Sequence, residues 1–101
     1  MNGSSESAAL FGRLSAPLDP VRSRLLLLLE RHELNVSELC AALQLPQPTV
    51  SRHLKALAEH GWVQARTEGT SRPYRRAATL DPAARRLWKV LREELEGSPE
   101  A

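Results

Sequence analysis

Between Gln47 and Lys55 the chain carries a run of polar side chains that have the spacing of one helical face. Val50, Leu54 and Leu57 recur where a helix would bury them, which leaves the polar residues on the opposite side. Gln pairs bidentately with adenine and Arg with guanine, whereas Lys and His are suited to phosphate contacts. The spacing therefore predicts a helix that reads base edges in a DNA groove. Its candidate DNA-binding residues are Gln47, Thr49, Ser51, Arg52, His53 and Lys55.

A shorter helix is expected just before this one. Asn35 and Glu38 have the spacing of a capping box, which marks a helix start. Pro46 lies in the connection, and Gly61 is suited to the left-handed position that ends a helix. The stretch from Leu34 to Gly61 thus predicts a helix–turn–helix.

A β-hairpin is expected after it. Strands are predicted at 62–67 and 72–77, joined by a turn at 69–71, and Pro73 favours an edge or a bulge because it cannot donate to a ladder. The hairpin is rich in arginine, including Arg76. Its candidate DNA-binding residues are Arg66, Gly69, Thr70, Ser71, Arg72 and Arg75.

Three further helices must position these two elements. Apolar spacing predicts a short helix over 8–14, and the pairs Asp19-Pro20 and Asp81-Pro82 each supply an N-cap followed by proline in the first turn. The second of these helices is expected to run to about His32 and the last over 82–96. The prediction is a mainly α fold with a small hairpin, a winged helix–turn–helix with five helices. Residues 8–96 would form the domain, between a disordered N-terminus at 1–7 and a disordered tail at 97–101.

Length and composition exclude several classes of protein. The chain has 101 residues, of which 42% are hydrophobic and 26% charged, as in an ordinary single globular domain. The longest apolar run is Leu25–Leu29, against roughly 20 residues for a membrane span. The N-terminus lacks the pattern of a secretory signal, and one cysteine excludes an internal disulfide framework. A cytoplasmic protein without a membrane partner is expected.

Positive charge is concentrated in the middle of the chain. Residues 46–76 carry six Lys and Arg against two Glu, while the segments before and after each carry four basic and five acidic residues. A basic centre between mildly acidic ends is expected if the centre faces phosphates. A merely solvated charged surface would give the same count.

Several segments resemble the ArsR/SmtB family of bacterial transcriptional repressors. They are Leu18–Arg22, Val36–Leu39, Thr49–Lys55 and Gly61–Val63, and the resemblance extends over roughly residues 10–95. It implies a homodimer that joins through its first and last helices, binds double-stranded DNA at an inverted-repeat operator and releases it on a signal. It places Gln47, Thr49, Ser51, Arg52 and His53 on the recognition helix, Gly69 on the wing glycine and Tyr74 on a wing aromatic.

The sequence departs from that family where many members bind metal. Asn35 and Ser37 occupy the places of a Cys-x-Cys pair, and the helix predicted over 82–96 contains no His. A metal site needs several convergent ligands, so no metal and no cofactor is expected. Cys40 shares the phase of the apolar residues of its helix and is expected to pack as a small hydrophobe, with redox or metalloid sensing as the alternative.

The dimer interface is predicted from apolar side chains of the two terminal helices. Trp88 is assigned to this interface, with a ligand pocket as the alternative, and Trp62 is expected to cap the core over the recognition helix. The interface residues predicted are Leu10, Leu14, Leu87, Trp88, Leu91 and Leu95.

Two other functions remain open at this point. The first alternative is that the chain is the N-terminal DNA-binding portion of a longer regulator with a methyltransferase-like, metabolite-sensing domain, since the run from Leu45 to Arg72 resembles the front portion of such family members. A winged helix used only for protein contacts is the other alternative. No nucleophile–base pair, phosphate-binding glycine loop or paired catalytic carboxylates occur in the sequence, which argues against an enzyme. The inducer is not indicated.

Overall fold

The computed structural model describes the backbone of residues 2–97 and the side chains of residues 7–97. Within that range the chain forms five α-helices and one antiparallel hairpin, so the predicted winged helix–turn–helix is confirmed. The elements are α1 (Asn2–Ser15), a 3₁₀ helix (Ala16–Leu18), α2 (Pro20–Arg31), α3 (Val36–Leu43), α4 (Gln47–Glu59), β1 (Val63–Ala65), β2 (Tyr74–Arg76) and α5 (Pro82–Glu96).

The helix starts follow the predicted caps. Asp19 Oδ2 accepts hydrogen bonds from the backbone N–H of Val21 at 2.8 Å and of Arg22 at 3.1 Å. Asn35 and Glu38 form the reciprocal capping box, with distances of 2.9 and 2.8 Å. These side chains satisfy N–H groups that have no partner within the helix, and this fixes where α2 and α3 begin.

The predictions for the two ends of the chain can be compared with the structure only over residues 2–97. Helix α1 begins at Asn2, six residues before the predicted start at Ala8, so the segment predicted to be disordered carries helical backbone. Of the predicted disordered tail, residues 98–101 lie outside the described part of the chain. Helix α5 has the predicted bounds.

Two left-handed residues shape the connections around α4. Gln44 ends α3 with a φ of 55°, and Leu45 N–H donates to Cys40 O at 3.2 Å, which turns the chain into α4. Gly61 follows α4 with a φ of 76°. Such a φ is strained for residues with a Cβ, so the predicted role of Gly61 in ending the helix is confirmed.

The hairpin is shorter than predicted. Val63 pairs with Arg76, Gln64 with Arg75 and Ala65 with Tyr74. At its tip, Glu68 and Ser71 exchange two backbone hydrogen bonds of 2.9 Å around Gly69, whose φ is 61°. Glycine at the first central position of a two-residue turn is the preference of a type II′ hairpin.

The core lies between α2, α3, α4 and the start of the hairpin. Its largest fully buried side chains include Trp62, Leu25, Leu39, Leu54 and Leu57. Trp62 Nε1 donates to Arg13 O at 2.7 Å, so the predicted core cap also fastens the end of α1. No helix within residues 2–97 is long and apolar enough to cross a membrane.

Candidate nucleic-acid interface

Helix α4 divides into a buried and an exposed face. Val50, Leu54 and Leu57 are each at most 1% exposed and anchor the helix on the core. Because residues three and four apart share a helical face, this burial directs Arg52 and Lys55 to solvent. The apolar stripe therefore decides which polar side chains a DNA groove could reach.

The exposed face contains most of the residues predicted for it. Arg52 and Lys55 are exposed on this face, and Thr49 and Ser51 are half-buried at its edges. Gln47 is exposed because it is the first residue of α4, although its spacing to Val50 and Leu54 is that of the buried stripe. Pro48, which is not one of the predicted contacts, is also exposed and lies on the same face as Arg52. Its spacing of four residues to Arg52 is the signal that would have found it.

His53 does not share this face. Its Nδ1 accepts a hydrogen bond from Arg22 Nε at 3.1 Å and lies 3.8 Å from Asp19 Oδ2, and 14% of the side chain is exposed. The side chain is turned toward α2, so the phosphate contact expected of His53 is not what this geometry provides. The reason is its position on the helix, between the buried and the exposed side.

Asp19 is the acidic member of this contact. Partial burial acts to raise its pKa, but the hydrogen bonds from the backbone of Arg22 and Val21, with the charge of Arg22, outweigh it. The pKa of Asp19 is therefore lowered from its usual value of 3.8. The carboxylate caps α2 and faces a side chain of α4.

The wing presents two cations to solvent. Arg75 is exposed on β2 opposite Gln64, and Arg72 lies beside the turn with its guanidinium carbon 5.9 Å from the centre of the Tyr74 ring. A guanidinium at this distance from an aromatic face is attracted by the ring. Gly69, Thr70 and Ser71 form the exposed tip of the hairpin, just before Arg72.

Arg66 differs from these two arginines. Its Nε is 2.7 Å from Glu33 Oε1, and its guanidinium also pairs with Glu68. The hydrogen bond and charge of Glu33, with those of Glu68, raise the pKa of Arg66. Although Arg66 is one of the predicted DNA contacts, two carboxylates neutralise it in this conformation. Arg76 likewise approaches Glu30, at 3.8 Å.

A groove of about 500 Å³ runs between the wing and the start of α3. Ser37 and Val36, at the helix start, face Ser71 and Arg72 across it. The first N–H groups and dipole of a helix favour anions. Ser37 is not among the predicted DNA contacts, because its nearness to the wing depends on where the hairpin lies relative to α3.

Metal ligation has no support in the described side chains. Among them, no three His, Cys, Asp or Glu groups converge on a site for an ion. Asn35, in the place of a family cysteine, is engaged in capping α3. Cys40 is half-buried and packs against the core.

The predicted dimer surface is partly exposed in the protomer. Leu10 is 37% exposed and Leu95 38%, while Leu14 and Leu91 pack against the core from its edge. Phe11, at 68%, and Val90, at 56%, are the more exposed apolar residues of α1 and α5. Leu87 is half-buried on the same side of α5 as Val90.

Trp88 lies inside the protomer instead of on that surface. It is 2% exposed, and its ring is 6.5 Å from that of Trp62 at an angle of 74°. Its Nε1 donates to Glu30 Oε2 at 2.6 Å. Trp88 shares a helical face with Ala84 and Leu91, and this face packs on the core.

The arrangement thus provides a helix with exposed hydrogen-bonding groups and a wing with exposed cations. Arg52, Lys55, Arg72 and Arg75 have no carboxylate within ion-pair distance among the residues that the structure describes. Gln and Arg are suited to base edges, and free cations to phosphates. This is the chemistry of double-stranded DNA recognition.

Comparison with known sequences gives two matches. The family model described as bacterial regulatory protein, arsR family, matches residues 19–65. The HTH-type transcriptional regulator MJ1325 of Methanocaldococcus jannaschii is 45% identical over 53 residues, which are 52% of this chain. The matched segment spans 60% of the length of that relative.

Comparison with solved structures extends the likeness to nearly the whole chain. The transcriptional regulator HlyU from Vibrio vulnificus is 32% identical, with a TM-score of 0.67 over 91% of this chain and 90% of that one. Mb0332 from Mycobacterium bovis, described as a homodimeric winged helix-turn-helix DNA-binding domain, is 26% identical. Its TM-score is 0.76 over 95% of this chain and 86% of that one.

Proposed function

Because this chain belongs to the arsR family of bacterial regulatory proteins, we propose that it is a homodimeric repressor that releases its operator on a signal. It is a transcriptional regulator with a winged helix–turn–helix DNA-binding fold, and its family and fold are not those of enzymes. The repressor activity, the operator and the cytoplasmic location are parts of the proposal.

The exposed face of α4 carries the proposal. Arg52 and Lys55 project from a helix whose opposite side is held in the core by Val50 and Leu54, and Gln47 is exposed as the first residue of that helix. A helix presented in this way fits the major groove, where Arg and Gln distinguish base pairs. Arg52 is assigned to a guanine and Gln47 to an adenine, while Lys55 contacts a phosphate.

The wing and the start of α3 supply the backbone contacts in this proposal. Arg72 and Arg75 are free of carboxylates among the described residues and are suited to phosphates. The groove between Ser37 and the wing turn is lined by hydroxyl groups and by the start of a helix, which favours a phosphate there. These contacts would orient α4 without reading sequence.

Two observations support the proposed dimer: the description of a similar solved structure, and apolar side chains that are exposed in the protomer. Mb0332 is described as homodimeric, and in this chain Phe11 and Val90 expose apolar side chains on the two terminal helices. A second copy that covers them would place two α4 helices on one side of the assembly. Two-fold symmetry then predicts an inverted repeat with half-site centres about 10 base pairs apart.

Selection from random-sequence DNA tests the proposal, followed by footprinting of the enriched site. The expected product is an inverted repeat with that spacing, bound less tightly as salt rises. Arg52→Ala should lose about 1–3 kcal/mol per half-site and relax selection at one position. Arg24→Ala is the matched control, since Arg24 is exposed on α2 and lines grooves with residues of α3 and α5 but not of α4.

Two results would contradict the proposal. One is a selection that enriches no inverted repeat. The other is an Arg52→Ala protein that keeps wild-type affinity and selectivity. Transcription from a promoter carrying the selected site distinguishes repression from activation, because a repressor lowers it and the Arg52→Ala protein does not.

A further inference from the structure

A cavity of about 380 Å³ lies on the side of α5 that faces α2 and the end of β2. Its charged lining residues are Glu30, Arg76, Arg85, Lys89 and Arg92, with Trp88 beside them. Four cations and one carboxylate leave an excess of three positive charges around one concave space. Its volume falls at the small end of the range for small-molecule sites.

Glu30 organises the inner part of this cavity. Its Oε2 accepts from Trp88 Nε1 at 2.6 Å and from Arg92 Nη1 at 2.8 Å, with Arg76 Nε at 3.8 Å. The Glu30 side chain is only 15% exposed, so it holds the Trp88 indole and the Arg92 guanidinium from the inner end of the cavity. One negative charge is thereby shared between two guanidinium groups.

Arg85 and Lys89 lie at the mouth of the cavity and are exposed. They are four residues apart on α5 and therefore share a face. Neither side chain has an ion-pair or hydrogen-bond partner among the described residues. The positive charges of Arg85 and Lys89 are therefore available to a ligand. Arg76 and Arg92 together add one further positive charge, because the single carboxylate of Glu30 neutralises only one of the two.

We propose that this cavity binds a compact polyanion, a metabolite with two or more phosphate or carboxylate groups, and that this ligand is an effector of the regulator. Charge-assisted hydrogen bonds from Arg and Lys are the strong contacts for such groups. The effector role rests on the proposed function. The binding site does not.

The position of the cavity explains how occupancy would affect DNA binding. Arg76 belongs to the wing strand β2, and Arg85, Lys89 and Arg92 belong to α5, where the dimer surface is proposed. An anion held between them ties the wing to the dimer helix. None of the lining residues comes from α3, α4 or the wing turn, which separates this site from the proposed DNA contacts.

Titration with inorganic pyrophosphate tests the site without DNA. Tryptophan fluorescence is the readout, because Trp88 lines the cavity, and calorimetry gives the affinity. The wild-type chain should bind at 150 mM salt, and Arg85→Gln combined with Lys89→Gln should weaken binding about tenfold or more. Arg86→Gln is the matched control, an exposed arginine next in sequence that does not line the cavity, and it should bind as the wild type does.

The contrary outcomes are distinct. Equal weakening by Arg86→Gln, or no binding by the wild-type chain, would overturn the site. A double variant that loses affinity for the selected DNA and part of its salt dependence, in the absence of pyrophosphate, would assign these cations to DNA phosphates instead. If pyrophosphate binds but leaves the affinity for that DNA unchanged, the effector role is overturned. Failure of the proposed function would give a different result: the wild-type chain would select no inverted repeat from random-sequence DNA but would still bind pyrophosphate in the fluorescence titration.

Discussion

His53 Nδ1 accepts a hydrogen bond from Arg22 Nε at 3.1 Å, which joins α4 to the first turn of α2. The contact adds a polar link between α4 and α2 outside the buried stripe of Val50, Leu54 and Leu57. Arg22 also donates to Ala16 O at 3.2 Å, so the same guanidinium holds the 3₁₀ segment. Arg22 thus connects α2 to both α4 and the 3₁₀ segment.

Removal of the hydrogen bond between His53 and Arg22 should lower the free energy of unfolding. It should leave the number of phosphate contacts with DNA unchanged. We expect His53→Ala to lower the free energy of unfolding by about 1 kcal/mol, since a partly buried hydrogen bond of this kind is lost. Urea denaturation followed by circular dichroism measures this. The slope of log affinity against log salt should stay as in the wild type, whereas Lys55→Ala should reduce it by about 1 per protomer without loss of stability. A reduced slope in His53→Ala would return His53 to the phosphate contacts.

The arginines of the wing should differ in how much each contributes to the salt dependence of DNA binding, according to whether a carboxylate already pairs with it. Arg72→Ala and Arg75→Ala should each reduce the salt slope by about 1 per protomer, because both guanidinium groups are free to meet a phosphate. Arg66→Ala should leave the slope nearly unchanged, since Glu33 and Glu68 already neutralise that charge. Fluorescence anisotropy with the selected DNA at several salt concentrations measures all three. A fall in slope for Arg66→Ala as large as that for Arg72→Ala would show that the ion pairs open on DNA.

Asp19 should make stability depend on pH in the acid range. Its pKa in the folded chain lies below the usual 3.8, so its stabilising contribution is present above that value. The contribution is lost as the pH falls through the lower, folded pKa. Asp19→Asn keeps a side-chain cap but cannot titrate, and its unfolding free energy should fall less steeply over this range in urea denaturation at stepped pH. Asp19→Ala should lose about 1 kcal/mol at neutral pH. Parallel pH profiles for wild type and Asp19→Asn would contradict this assignment.

The exposed apolar residues of the terminal helices should control association. Phe11→Glu with Val90→Glu should give a folded monomer, because both side chains are largely exposed in the protomer and a charge there disfavours burial in an interface. Sedimentation equilibrium measures the mass, and circular dichroism the fold. Leu91→Glu with Leu95→Glu should also give monomers, at some cost in stability since Leu91 packs on the core. The control is Lys89→Glu, an exposed residue on another side of α5, which should remain dimeric. A dimeric Phe11→Glu, Val90→Glu protein would move the interface elsewhere.

Part of the proposed site follows directly from sequence periodicity. The apolar spacing of Val50, Leu54 and Leu57 is enough to place Arg52 and Lys55 on the exposed face. The same reasoning cannot determine the direction of His53, at the boundary between the faces. Sequence periodicity also does not show which wing arginines pair with carboxylates, because the neighbouring residues of each Arg do not reveal a partner that is distant in sequence, such as Glu33 for Arg66.

The sequence by itself determined the helix starts, the turns and the phase of each apolar stripe. Asp19, Asn35 and Gly61 act on backbone groups within a few residues, so their effects can be read locally. Tertiary structure decided the contacts of Arg66, His53 and Trp88, whose partners lie 33, 31 and 58 positions away. Those partners meet only when helices and hairpin pack together. Packing therefore sets which charges stay free for DNA, and it gathers four cations around the cavity beside Trp88.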